Sequence, residues 1–437
     1  MSSVFKTADG ALAFRGGFDS HALSPSLAQG RLDFALTLSN RRAVLISAGA
    51  LIDGTGAAPL RPGAVLIEGD RIRAVGARID APADAERIDV PNATITPGLI
   101  DCHVHLSDAG LADASVQDHD PSGLRILRMA EHARRTLMAG FTTVRDAGAR
   151  DHLEFALRRA AQEGLVRTPR LVLAGKIVSM TTAGASSWPG MYRQSDGVNE
   201  VVKAVREQVA AGADVIKIMA TGAVLAPGHE RPTSAQFTRE ELKAAVETAH
   251  GMGLRVAAHA HGIEGIARAV EAGVDTIEHG THLHEDAGVA KEMAARGVFL
   301  VPTLKALARI ADPEGPGVPE DMRAKAHDRR SDRDRTFRVA LEVGVPIAMG
   351  TDAATPFNRH GENAEELELM VSLGMSPVAA IAAASGVAAR ALGRDDIGVL
   401  EPGRLADLVV WDAAPHDDVP LLQRAAHTVF LGGDRLV

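Results

Sequence analysis

His103 and His105 stand two residues apart at the end of the short apolar run Leu99–His105. In an extended strand that spacing puts both imidazoles on the same side. Other apolar runs end in His259 and His279, the run Pro346–Gly350 leads into Thr351-Asp352, and the run Asp214–Ala220 carries Lys217 at its centre. Imidazole and carboxylate side chains gathered at strand ends form a ligand set suited to zinc or a similar divalent ion. A single histidine near a strand end is more often a hydrogen-bonded structural residue, but that account does not explain His103, His105, His259 and His279 together with Asp352.

Lys217 sharpens the argument. The chain has only eight lysines among its 47 basic residues, and this one lies in the apolar stretch Asp-Val-Ile-Lys-Ile-Met-Ala. Burying an ammonium costs desolvation energy. On one reading the side chain snorkels to the rim or pairs with a carboxylate. On the other the amine is held neutral by burial beside cations. A neutral amine reacts with CO2 to give a carbamate, an anionic two-oxygen ligand able to bridge two metals.

These residues need a scaffold that gathers strand ends. From Pro97 onward, eight apolar runs alternate with helical patterns: Leu99–His105, Thr142–Asp146, Arg170–Val178, Asp214–Ala220, Arg255–His259, Thr276–His279, Val298–Pro302 and Pro346–Gly350. Eight β-then-α units predict a (β/α)8 TIM barrel, an α/β fold whose active sites sit at the C-terminal ends of its strands. Residues 43–96 are β-rich with little helix, and the tail resumes strand patterns at Gly398–Asp412 and Thr428–Leu431. The expected organisation is an N-terminal arm at 1–42, a small β-sandwich domain built from 43–96 plus 396–437, and the barrel at 97–395. Arg329–Arg335 reads as a solvated helix face.

The 437 residues are 46% apolar and 24% charged, as in ordinary globular proteins. The net charge of −9 gives no electrostatic reason to expect nucleic acid or an anionic membrane as partner. There is no apolar run long enough to span a bilayer and no secretory pattern at the start. Cys102 is the only cysteine, so no intrachain disulfide forms. Together these features lead to the expectation of a cytoplasmic location.

The stretch Thr96-Pro97-Gly98-Leu99-Ile100-Asp101-Cys102-His103-Val104-His105 resembles the signature of the amidohydrolase superfamily, as does the ending Gly403-Arg404-Leu405-Ala406-Asp407-Leu408-Val409-Val410. His259-Ala260-His261-Gly262, Gly273–Gly280 and Gly350-Thr351-Asp352 are similar to the imidazolonepropionase-like branch, nearest the binuclear prolidase-like metal carboxypeptidases and ochratoxin-hydrolysing amidases. The resemblance spans about 43–437. It implies two zinc ions, one held by His103, His105 and Asp352, the other by His259 and His279, with carboxylated Lys217 and a hydroxide bridging them. It further implies that Asp352 accepts the proton of the water and passes it to the leaving amine. Relatives of this kind form large homo-oligomers, octamers among them.

The expected activity is hydrolysis of the amide to a C-terminal amino acid, in a dipeptide, an X-Pro compound or an N-acyl amino acid, ochratoxin A included. Two alternatives stand beside it: hydrolysis of cyclic amides or lactones, and a non-catalytic binding protein on the same fold. His261 reads either as a catalytic and substrate-binding residue at the tetrahedral oxyanion or as a supporting hydrogen-bond partner. His229 and Arg231, in the loop after strand four, are candidate substrate contacts. Arg231 either pairs with a substrate carboxylate or is an exposed loop arginine. Trp188 and Met191 are either the apolar wall for a hydrophobic substrate group or loop anchors.

The sequence departs from its relatives in two places. After strand three it reads Ser179-Met180-Thr181-Thr182-Ala183-Gly184-Ala185, without the histidine those relatives carry. Tyr192 is the only tyrosine, and Phe237 stands where some relatives have one.

Overall fold

The computed structural model describes residues 42–227, 230–312, 317–424 and 427–436. The expected arm at 1–42 lies outside them except for Arg42, as does His229. The first described strands are β1 (Val44–Leu51), β2 (Gly63–Glu68), β3 (Arg71–Gly76) and β4 (Glu86–Pro97). β2 and β3 form the antiparallel hairpin predicted from Gly69-Asp70.

The strands that follow are β5 (Leu99–Val104), β6 (Phe141–Asp146), β7 (Arg170–Leu173), β8 (Ile177–Ser179), β9 (Tyr192–Gln194), β10 (Val215–Met219), β11 (Arg255–Ala260), β12 (Thr276–His279) and β13 (Phe299–Val301). Their pairings with one another are all parallel, in the orders β5-β6-β7 and β13-β12-β11-β10-β8-β9. Every residue of β5, β6, β10 and β12 is buried, the polar ones included. Ile216, Ile218, Val256, Ala258, Ile277 and Leu300 pack in one core with helix residues such as Val205, Leu242, Ile266 and Met293.

The pairing does not close into a ring of eight strands. The expected third strand is two, β7 on β6 and β8 on β10, with Gly175 between them at φ +76°. The expected eighth run forms no strand. It is held by isolated parallel bridges, Leu300↔Ile347 and Val104↔Ala353, and by Cys102 N–H donating to Met349 O at 2.9 Å. Beyond Gly350 the backbone turns left-handed at Asp352, Ala354 and Phe357, which ends any extended pairing.

The chain ends in β14 (Leu408–Trp411), β15 (His427–Leu431) and β16 (Asp434–Arg435). β14 lies antiparallel on β4, pairing Val409 with Thr96, so both ends of the chain share one seven-stranded sheet, β16-β15-β14-β4-β1-β2-β3. Two stacked sheets were expected. Instead the twelve-residue β4 is long enough to pair with β1 on one side and β14 on the other, which makes the sheet continuous. The charged stretch Arg329–Arg335 lies in the helix Glu320–Val343, but Arg333 is buried and bonded to the carbonyl of Leu304 and to Asp334 rather than solvated. Among the described residues no helix is long and apolar enough to cross a membrane.

Trp411 joins the seven-stranded sheet to the parallel strands. Its ring is fully buried, Nε1 donates to Thr96 Oγ1 at 2.9 Å, and Gly140, just before β6, packs so close that a Cβ there would meet the ring at 2.8 Å. Trp411→Ala is expected to cost about 3–5 kcal/mol. Urea unfolding checks this; a loss below about 1 kcal/mol would show that the joint does not depend on the ring.

Candidate metal centre

The C-terminal ends of the parallel strands converge on one cavity of about 770 Å³. His103, His105, Lys217, His259, His261, His279 and Asp352 all line it. One ligand atom from each of His103, His105 and Asp352 lies within 4.8 Å of the others, and the same holds for His259, His261 and His279. The imidazoles of His103 and His279 are 5.1 Å apart, so the two groups share one pocket. His261 is the addition to the expected set. Register explains it: β11 ends at His259-Ala260 with His261 directly after it, Ala260 pairs with His279, and the rings of His261 and His279 stack at 4.8 Å.

Each imidazole has one nitrogen already engaged. Nδ1 of His103 bonds Glu278 at 2.7 Å, that of His105 Gly148 O at 2.8 Å, that of His261 Thr281 Oγ1 at 2.7 Å and that of His279 Thr303 Oγ1 at 2.7 Å. These leave Nε2 for a ligand. His259 is the reverse, because its Nε2 donates to Gly222 O at 3.0 Å and leaves Nδ1. Such partners fix ring orientation and tautomer in metal sites. The backbone is left-handed at His279 (φ +69°), Asp352 (φ +57°) and Thr303 (φ +46°). Each such non-glycine residue stores about 1–3 kcal/mol, held in place by the surrounding packing.

The electrostatics favour the neutral form in four of the five imidazoles. Burial, then the neighbouring Lys217, lowers His103 to about 4 and His259 to about 3. Burial and the adjacent imidazoles hold His261 and His279 well below the usual range. Neutral imidazole is the form that binds metal. Burial also pulls His105 down, but the Asp352 carboxylate overcomes it and raises the ring to about 9. Burial pushes Asp352 up, yet His103, His105 and Lys217 outweigh that and lower it to about 2.

Lys217 is buried, its Nζ has no hydrogen-bond partner among the described residues, and burial lowers the amine to about 8. A buried amine without a partner among the described residues, beside six side chains able to bind a metal, fits a divalent-ion centre that would complete its bonding.

Trp188, Met191 and Tyr192 line the same cavity, so the single tyrosine does reach the site. Phe237 lies in the core, away from the lining. Arg231 is exposed and does not line the cavity, which matches the exposed-loop reading.

The supporting acids were not anticipated. Glu278 is fully buried between His103 and Arg145, the latter at 2.6 Å, and Arg145, Lys217 and His103 hold it far below the usual carboxylate range despite burial. Asp101 accepts from His103 N–H at 3.0 Å, Thr351 N–H at 3.1 Å and Thr351 Oγ1 at 2.6 Å, tying β5 to the segment that carries Asp352. Both acids were visible as neighbours of the ligands in Asp101-Cys102-His103 and Glu278-His279, but a strand alternates its faces and nothing local shows what the other face meets.

A parallel-strand α/β scaffold that gathers imidazoles, a carboxylate and a buried lysine at its strand ends defines a metal-dependent hydrolase. The chain belongs to the amidohydrolase family, whose profile matches residues 94–436. It is 30% identical over 432 residues to ochratoxinase of Aspergillus niger, with 90% of this chain and 86% of that one covered. It is 29% identical to imidazolonepropionase of Salinispora tropica, covering 88% and 97%. Among solved structures, a Xaa-Pro dipeptidase with methionine bound in its active site superposes with a TM-score of 0.83 at 35% identity, covering 90% of this chain and 99% of that one. The protein is therefore a hydrolase acting on amide bonds.

Glu278→Gln keeps the shape but removes the charge that orients His103. Metal affinity is expected to fall about 10–100-fold. Metal content after dialysis against graded chelator measures this, and an unchanged profile would remove Glu278 from the centre's support.

Proposed function

We propose that the protein is a binuclear zinc hydrolase that cleaves the amide to a C-terminal amino acid, in a dipeptide, an X-Pro compound or an N-acyl amino acid such as ochratoxin A. In this reading the parallel strands are the wall of a (β/α)8 barrel. The observation that carries it is the convergence of His103, His105, Asp352, His259 and His279 on a buried lysine amine with no hydrogen-bond partner among the described residues. The similarity to ochratoxinase and to a Xaa-Pro dipeptidase supports the substrate class.

His103, His105 and Asp352 would hold one ion, His259 and His279 the other, and carboxylated Lys217 both. The ions supply Lewis-acid charge that polarises a carbonyl and acidifies water. The chain's own groups do the rest. Asp352, lowered to about 2, is ionised at neutral pH and takes the proton of the attacking water. It then gives that proton to the departing amine nitrogen. When the Thr281 hydroxyl donates to Nδ1 of His261, the imidazole proton sits on Nε2 and stabilises the tetrahedral oxyanion. Ile177, Met191, Met219 and Leu307 give the cavity an apolar wall that excludes water and takes a hydrophobic substrate group.

The decisive test is release of free amino acid from a panel of dipeptides and N-acyl amino acids, ochratoxin A included, by protein supplied with zinc and bicarbonate. Release abolished by a chelator supports the reading, and no release from protein holding two metals per chain overturns it. Asp352→Asn is expected to lower kcat at least about 100-fold; a wild-type rate would remove Asp352 from proton transfer.

Lys217 sets a pH dependence. Below about 8 the metal-free amine is protonated and cannot attack CO2; above it the amine is neutral. Bicarbonate-dependent metal loading should therefore rise between about pH 7 and 9. Lys217→Ala should abolish that bicarbonate dependence, and a pH-independent loading would contradict the carbamate.

A further inference from the structure

Next to the metal-ligand cavity lies a smaller hollow of about 240 Å³. Trp188, Tyr192, Met219 and Ala223 line both, so the two share a wall. Among the described residues, the only charged side chain lining the smaller hollow is Glu230. Its Oε2 accepts from Gly184 N–H at 2.8 Å and its Oε1 from Gln236 Nε2 at 3.1 Å. Both donors are neutral, and no described residue forms an ion pair with this carboxylate.

The loop is shaped to hold Glu230 there. A Cβ at Gly184 would lie 2.7 Å from Oε2, so only glycine lets its N–H grip the carboxylate. A Cβ at Gly222 would lie 2.5 Å from Arg231 O and 3.0 Å from Glu230 Cγ. The carbonyl of the same Gly222 receives the His259 Nε2 hydrogen bond, so the seat of Glu230 is tied directly to a metal-ligating residue. The negative charge is felt across the shared wall: burial, and after it Glu230, pushes the Tyr192 hydroxyl well above its usual value.

A fixed carboxylate with only neutral partners, at the edge of a cavity that would hold divalent cations in the reading above, is placed to compensate positive charge brought by something else. We propose that Glu230 is a cation subsite that receives an ammonium group of the substrate, so that amides carrying a free amino terminus or a lysine-like side chain are cleaved in preference to their neutral counterparts. The ammonium donates to the carboxylate oxygens beside Gly184 and Gln236, while the apolar shared wall covers the intervening methylenes. Without the subsite, an ammonium near the ions would be repelled. The inference rests on the amide-hydrolase reading and deepens it by naming the charge of the substrate.

The test uses the full-length protein, supplied with zinc and bicarbonate at pH 7, and four substrates with a common departing residue. They are Lys-Phe, norleucyl-Phe, Nα-acetyl-Lys-Phe and Nα-acetyl-norleucyl-Phe, compared by phenylalanine release. Loss of one charge-assisted hydrogen bond predicts a kcat/KM about tenfold or more higher for a cationic substrate than for the doubly neutral one. Whether Nα-acetylation or the norleucine replacement removes that advantage tells a terminal ammonium from a side-chain one. Glu230→Gln, which keeps the acceptor for Gly184, should shrink the advantage to about twofold or less while leaving the neutral substrate nearly unchanged.

An advantage that survives in Glu230→Gln, or a neutral substrate cleaved as well as the cationic ones by wild type, overturns the subsite; the second comparison needs no variant. If none of the four is cleaved, the amide reading for these peptides fails, and calorimetry with phenethylamine against 2-phenylethanol then decides the subsite alone. Amine binding about tenfold tighter to wild type but not to Glu230→Gln supports it. Equal binding of the two probes overturns it.

Discussion

Lys217 lies in β10 with every residue of the strand buried, and a parallel sheet offers its ammonium no water. The desolvation this entails is what the neighbouring side chains are arranged around. Glu278 faces it from β12 and is itself buried, which would be costly if Arg145 from β6 did not bond the same carboxylate. The second oxygen of Glu278 takes Nδ1 of His103. One buried acid thereby couples β5, β6, β10 and β12, and it does so only because each of these strands brings one polar residue to the inner face. The same burial that weakens the lysine's proton also keeps His103, His259, His261 and His279 neutral. Desolvation is thus a structural cost and the means by which metal-binding forms are populated at neutral pH.

The candidate ligands stand out in the sequence because they terminate apolar runs, and a run that stops at a histidine announces both a strand and a polar residue at its end. His103, His105, Lys217, His259, His279 and Asp352 converge as that pattern predicts. His261 was legible as a same-face neighbour of His259, but its membership in a ligand group depends on the pairing of Ala260 with His279, which is non-local. The role of Glu278 depends on Arg145, more than a hundred residues away. Arg231 shows the converse. Its residue type suits a carboxylate, yet the turn that brings Glu230 against Gly184 leaves Arg231 facing solvent. Residue type gives the chemistry a group can do, and only the backbone path says where that group points.

The architecture shows the same division. Alternation of strand and helix patterns gives the parallel α/β scaffold, because burial on both faces writes itself into composition. It does not give closure. The run 170–178 is apolar apart from Arg170 and Lys176, and the left-handed Gly175 lies where it divides between two neighbours. Likewise, β-rich ends predict sheet but not how many sheets, since β4 can pair on one side or both without any change in its own pattern.

Where regular pairing stops, polar side chains hold the centre together. The segment carrying Asp352 forms no strand and turns left-handed at the ligand itself. Asp101 substitutes for the missing ladder, binding Thr351 through backbone and hydroxyl, His103 through its N–H and Asn363 through its amide. Asn358 adds bonds from Nδ2 to the carbonyls of Thr351 and Asp352. A strand would have aimed successive side chains to alternate faces and sent either Thr351 or Asp352 away from the cavity. The left-handed turn, fixed by those side-chain bonds, lets Asp352 reach the Nε2 atoms of His103 and His105 at 3.6 and 3.4 Å while Thr351 stays buried on Asp101. The irregular eighth segment is thus the conformation that gives one carboxylate simultaneous access to two imidazoles on a neighbouring strand.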